Sequence, residues 1–230
     1  MLEFLKNWDK TVELIPSTNI SNIKQIPDTW KNIFSNELKE EKVTQVINLW
    51  KQHIGEELKK TIQFLDEHLY DVHLIKRQNR YAILYVLQIE EDEYLYYEGG
   101  NPNDSTLAPN YNDDMKNMPN SIQNFYQFLH NGFYHFCNRG MGIQPIEYIH
   151  FMEIDDDDED LWNLQYEDDD DEIEFDEEEM LSFYWNSVGF ALSIDKQDGD
   201  INNSILWKRS SSPECGYHFW KTVDQVLFLF

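Results

Sequence analysis

Apolar residues recur at three- and four-residue spacing through Val43, Val46, Ile47, Trp50, Ile54, Leu58, Ile62, Leu65 and Leu69. That period belongs to an amphipathic helix with one buried stripe. Gly55 falls inside the run and predicts a bend or a division there. A shorter stripe of Trp30, Ile33, Phe34 and Leu38 precedes it, with Asp28 after Pro27 as a candidate cap. Residues 1–27 read as irregular to weakly helical. After Tyr70 the period changes. Residues 72–75, 81–89 and 94–97 are rich in β-branched and aromatic side chains and are separated by charged or polar turns, which predicts an antiparallel meander. Residues 99–118 have the composition of a loop. Pro119 opens a helix carrying Ile122, Phe125, Tyr126 and Leu129, and Asn131-Gly132 suits its stop. Gly140 and Gly142 mark a tight turn before a strand over 146–154. Further strands are expected at 180–185, 189–194 and 204–208, and residues 222–230 close the chain as an amphipathic helix or strand. Trp30, Trp50 and Trp207 sit on periodic apolar positions and are assigned to packing.

These elements predict an α+β fold: a mixed, mainly antiparallel sheet with helices packed on it and a helical N-terminal part over 1–70. A length of 230 residues suits one domain spanning 1–230.

Charge changes the picture. Acids exceed bases by 26. Eighteen of the 44 acids lie between Glu153 and Glu179, where no Lys or Arg occurs; the remaining 26 acids against 18 bases leave the rest of the chain near −8. The excess is therefore a property of one segment. Phosphate binding needs Lys and Arg patches, so nucleic acid is an unsuitable ligand, as is an anionic membrane surface. A basic protein is the natural complement. The runs 155–160, 167–172 and 176–179 are too dense for an ordinary helix face, and their mutual repulsion predicts an open backbone. Leu161, Trp162, Leu164, Tyr166, Ile173 and Phe175 are interleaved with them. The candidate partner-binding residues are Asp155, Asp156, Asp157, Asp158, Trp162, Tyr166, Asp168, Asp169, Asp170 and Asp171: carboxylates to mimic a phosphate backbone, aromatics to anchor. The plainer reading is a solvated insertion that aids solubility. The turn at 139–147 and the sheet are the expected contact surface in that case.

The second half has a familiar order of motifs. Met118-Pro119-Asn-Ser-Ile-Gln-Asn-Phe125-Tyr126-Gln-Phe128-Leu129-His-Asn131-Gly132-Phe133 is followed by Arg139-Gly140-Met-Gly142-Ile-Gln-Pro145-Ile146-Glu147. Then come Trp185-Asn-Ser-Val-Gly189-Phe-Ala-Leu192-Ser-Ile194-Asp195, Ile205-Leu-Trp207 and the closing Thr222-Val-Asp-Gln-Val-Leu227. This series resembles the SUKH superfamily, the Smi/Knr-type proteins that include many bacterial immunity proteins, over residues 115–230. The β-rich stretch 70–100 and the acidic insert 153–179 stand outside the compact family pattern. The resemblance implies an α+β fold and a role as an antitoxin in polymorphic-toxin systems, often against nucleases. It supplies no catalytic residues.

Other chemistry is poorly supported by the residues. The acids of 153–179 are contiguous and lack the mid-loop glycine of a calcium loop. His130, His135 and Cys137 do not complete a zinc set. Ser187, Ser193 and Ser210–Ser212 have no nucleophile elbow, and Gly140-Met-Gly142 has no following Lys to make a phosphate loop. No metal or other cofactor is expected, and no catalysis. Two cysteines, Cys137 and Cys215, build no disulfide framework. The scattered charges of the first ten residues exclude a signal peptide, and no apolar run reaches the ~20 residues of a membrane helix. The expected setting is the cytoplasm. The leading function is an immunity protein that binds and neutralises a cognate basic toxin, with a nuclease as the expected target. The alternatives are an intracellular scaffold without a toxin partner and, third, an acid-dependent hydrolase.

Overall fold

The computed structural model describes residues 1–104, 111–150, 179–186, 189–208 and 211–228. The N-terminal part carries helices α1 (Leu2–Trp8), α2 (Asp28–Phe34), α3 (Lys39–Ile54) and α4 (Lys59–His68), with a two-residue strand β1 (Glu13–Leu14) and a 3₁₀ turn over Ser17–Asn22. The periodic run 43–69 is thus divided after Ile54, at Gly55. The stripe through Leu38 is shorter than its spacing suggests: α2 stops at Phe34, and Leu38 is exposed.

Strands β2 (Leu69–Arg77), β3 (Arg80–Glu90) and β4 (Glu93–Gly100) form the anticipated meander. A short helix α5 (Tyr111–Asp114) interrupts the expected loop. Helix α6 (Asn120–Asn124) widens into a π-turn over Phe125–Leu129. There follow β5 (Phe133–His135), β6 (Gly142–Ile143), β7 (Met180–Asn186), β8 (Phe190–Asp195), β9 (Ser204–Lys208), β10 (Ser211–Tyr217) and helix α7 (Phe219–Val226). The strands form one antiparallel sheet in sequence order, β1 through β10. The fold is α+β, with helices at the N-terminus.

Two expectations are corrected. Residues 146–148 form a 3₁₀ turn, not the start of a strand, and only a lone bridge from His150 to Leu181 joins the sheet. Ile146 and Ile149 are both fully buried at a three-residue spacing that a turn satisfies and a strand does not. Strand β10 was not expected, because Pro213 and Gly216 lower strand propensity. It lies at the sheet edge, where proline is tolerated, and its pairing with β9 is irregular.

The main core lies between the helices and one sheet face. In β3, Ile83, Tyr85 and Leu87 point into it, while Ala82, Leu84 and Val86 point the other way, into a smaller cluster with Leu5 and Val12 from the α1 region. A strand buried on both faces reads as a continuous apolar run, which explains 81–89. At the centre, the fully buried Trp50 of α3 donates from Nε1 to Tyr85 Oη at 2.8 Å. Tyr85 Oη lies 2.6 Å from His130 Nε2. With the tyrosine oxygen accepting from Trp50, its own proton is free to go to His130 Nε2 when that nitrogen carries none. Burial drives the His130 pKa down to about 3, outweighing the opposite pull of the Gly100 backbone, so the ring is uncharged at neutral pH. The ring lies flat enough against β4 that a Cβ on Gly99 would meet it at 2.5 Å. Asp224 of α7 accepts from the Lys60 and Thr61 backbone N–H groups at 3.0 and 2.8 Å, capping α4 from a distant part of the chain.

Tyr85→Phe keeps the ring and removes the shared hydroxyl, leaving Trp50 Nε1 and His130 Nε2 without partners. Each buried orphan costs about 1–3 kcal/mol. Denaturant unfolding should show a loss of that order with an unchanged m-value. A loss below experimental error would show that the chain contributes nothing.

Candidate interaction site

The β2–β3 hairpin turns on Gln78 and Asn79, both at positive φ (48° and 69°), the geometry of a tight two-residue turn. The turn sets Arg77 opposite Arg80, on the sheet face away from the main helix layer. Arg77 donates to Asp9 at 2.6 Å and to Glu98 at 2.7 Å, and its guanidinium lies 4.6 Å from the centre of the Phe136 ring. Tyr134 Oη donates to the other Glu98 oxygen at 2.8 Å. Arg80 donates to Asp104 and Glu147. Both arginines are therefore flanked by two carboxylates, and these hold the guanidinium pKa values up against the opposing effect of burial. Asn131 Nδ2 donates to Glu147 at 3.0 Å, and Asn131 Oδ1 accepts from the Ile146 backbone N–H at 2.9 Å. Gly132 at φ +80° lets this loop press on Pro145, whose nitrogen a Cβ would meet at 2.6 Å.

This network fixes the 145–150 turn, from which the acidic stretch departs. Downstream of it, His150 Nε2 lies 2.9 Å from Asp114 Oδ2, and Ser182 donates its backbone N–H to Ile149 at 2.7 Å. The chain re-enters at Glu179, whose carbonyl accepts from the Lys196 backbone N–H at 2.9 Å and whose carboxylate pairs with Lys196 Nζ at 3.0 Å. The bridge from His150 to Leu181 brings the two anchors together. The described residues on either side of 151–178 are thus neighbours at the sheet. The candidate residues of that stretch, Asp155 to Asp158, Trp162, Tyr166 and Asp168 to Asp171, lie outside the described residues.

Beside the turn, Tyr81, Tyr148 and Arg139 help to line a cleft of about 60 Å³. Tyr148 is 54% exposed. Arg139 Nε is buried and has no hydrogen-bond partner. His130 is enclosed in the core, and Cys137 packs beside the α1 cluster. Among the described residues, no group of three or more His, Cys, Asp or Glu is placed to hold a metal. No described helix is long and apolar enough to cross a membrane.

The pattern reading missed the arginines and their partners. One signal was available: Glu98 is a lone acid in the run 94–100, at a position whose alternation points inward. No protein-family model, curated protein or solved structure matches the chain.

Asp9 supplies a pH test. Burial raises its pKa, but hydrogen bonds from Thr11 and Arg77 prevail and bring it from 3.8 down to about 2. A carboxylate with a folded pKa below its unfolded value stabilises the fold above the unfolded value, and that contribution is lost as pH falls through the folded one. Asp9 should therefore stabilise at neutral pH and lose its contribution between about pH 4 and pH 2. Asp9→Asn should be less stable at pH 7 and show a shallower decline in that window. Parallel stability curves for the two proteins would refute the ion-pair account.

Proposed function

We propose that this protein is a non-catalytic immunity protein that acts in the cytoplasm, captures a basic toxin and blocks it, with a nuclease as the target. The observation that carries the reading is the 18 acids between Glu153 and Glu179, without a single base, in a segment whose flanking residues are held side by side. A dense negative field on a fixed base raises the encounter rate of a cationic partner and favours carboxylates over the phosphates that a nuclease cleft binds. The order of motifs over 115–230, which resembles the SUKH superfamily, supports the same assignment. In this reading Asp155 to Asp158 and Asp168 to Asp171 supply the field, and Trp162 and Tyr166 supply desolvated contact area.

The test uses the basic C-terminal domain of a toxin encoded beside this chain's gene. Co-expression should relieve the growth arrest that the toxin domain causes alone. Association should be fast and fall steeply with salt, since steering lifts on-rates from roughly 10⁵–10⁶ toward 10⁸–10⁹ M⁻¹s⁻¹ and the screening length shrinks to about 8 Å at physiological ionic strength. Asn at Asp155 to Asp158 and at Asp168 to Asp171 should slow association most. Trp162→Ala and Tyr166→Ala should speed dissociation instead. Undiminished arrest on co-expression would exclude the toxin reading and favour a scaffold. Relief of arrest with unchanged association of the Asn variants at low salt would move the contact to the sheet and the 139–147 turn.

A further inference from the structure

Strand β1 covers only part of the β2 edge. Glu13 and Leu14 pair with Lys76 and Ile75, and the Ile15 backbone N–H donates to the Leu74 carbonyl at 2.9 Å. Pro16 has no N–H with which to continue that ladder. Among the described residues, no strand lies beside residues 70–73 of β2 on the side away from β3. A cleft of about 350 Å³ opens there, lined by Ile15, Pro16, Phe34, Lys42, His73 and Leu74. An open edge of this kind presents backbone donors and acceptors to any other extended chain.

Val72 is the residue whose backbone faces outward at this edge, and side chains occupy both of its groups. Its N–H donates to Asp71 Oδ1 at 2.7 Å, and its carbonyl accepts from Lys42 Nζ at 3.2 Å. A carboxylate and an ammonium thus stand where the acceptor and donor of a neighbouring strand would be. Lys42 belongs to α3, on the helix side of the sheet, where Val72 and Leu74 join the main core. Asp71 and His73 alternate with those residues and lie on the opposite face. Lys42 Nζ is 3.5 Å from Asp71 Oδ1, so the ion pair crosses the strand edge from one face to the other. His73 Nε2, 3.2 Å from Asp71 Oδ2, holds the carboxylate in place. One turn earlier on α3, Lys39 Nζ lies 3.6 Å from the centre of the Tyr70 ring and sets a second lysine at the same margin.

A second copy of this edge suits the surface once the ion pair is removed. Antiparallel pairing about a twofold axis at Val72 joins the N–H and carbonyl of Val72 in each copy to those in the other. It also sets Asp71 of each copy opposite His73 of the other, so the carboxylate–imidazole contact now made within the strand is remade between strands. We infer that residues 70–73 of β2 are a strand-pairing surface for a second copy of this chain, and that the Lys42–Asp71 pair keeps it closed. The inference is independent of the toxin reading, because it requires no partner protein and no residue of the acidic segment.

The test is sedimentation velocity of the full chain over a range of concentrations, joined to hydrogen exchange at the Val72 amide. The wild type should sediment as a monomer. Lys42→Met with Asp71→Ala removes both side-chain partners of Val72 and keeps aliphatic cover from α3. Its mean mass should rise with concentration toward that of a dimer, and its Val72 amide should exchange more slowly as the dimer forms. Lys51→Met with Asp66→Ala removes the same two charges from an exposed ion pair away from the edge, and that control should stay monomeric. Lys42→Met alone leaves the Asp71 contact with the Val72 N–H in place. It should associate more weakly, and it is the variant to read if the double variant does not fold. A folded edge variant that stays monomeric at the highest concentration would overturn the inference. So would equal association of the control, association that leaves Val72 exchange unchanged, or a wild type that already pairs through Val72.

Discussion

The hydrogen-bonded chain Trp50–Tyr85–His130 joins three parts of the molecule that are distant in sequence: α3, the central strand β3 and the segment that follows the π-turn. The arrangement that uses all three side-chain groups has the tyrosine accepting from the indole and donating to a neutral imidazole. Inside a low-dielectric core such a chain is directional, and a half-satisfied version is worse than an apolar substitute. Around it, Phe125 and Phe133 meet the Trp50 ring edge-on at centroid distances of 6.1 and 4.9 Å. Because His130 rests on Gly99, the chain also fixes how closely the 130–132 segment approaches β4. From that approach follow the position of Asn131 and, through it, the 145–150 turn.

The two faces of the sheet are stabilised differently. The helix face is closed by apolar and aromatic burial. The opposite face, near the β2–β3 turn, is closed by two arginines with four carboxylates, supported by Phe136 and Tyr134. The Arg77 pairs are buried, whereas the Arg80 side chain is 37% exposed; buried ion pairs add little net stability over apolar packing, but removing one partner is strongly destabilising, by about 3–5 kcal/mol. They therefore enforce a particular register. Arg77 meets Glu98 only if β2, β3 and β4 are paired as observed, since a slip of one residue would turn the guanidinium to the other face. The turn that precedes the acidic segment is held in this specific way, while the segment itself carries most of the excess charge.

Much of the architecture could be read along the chain. The three-four spacing of 43–69 and the glycine within it gave α3 and α4 and the break between them. The change of period after Tyr70 gave β2 to β4, and 180–185, 189–194 and 204–208 became β7 to β9. These features depend on neighbours a few residues apart, which is the range over which helical and strand periodicity act. Where burial followed another rule, the reading failed. Ile146 and Ile149 looked like strand residues and are buried by a turn, because the Asn131 side chain takes the Ile146 N–H.

The sequence by itself determined the α+β class, most helices and strands, and the confinement of negative charge to 153–179, because each depends on composition or on local period. Only the tertiary structure decided which charges neutralise one another. Arg80 and Glu147 are 67 residues apart, and Asp9 and Arg77 are 68 apart; the docking of the α1 end and of the 146–148 turn against the β2–β3 hairpin brings them together, and docking is a collective property of the fold. The same holds for the cleft at Arg139. An arginine in a glycine-rich turn looks solvated in sequence, and only the folded chain buries its Nε without a partner.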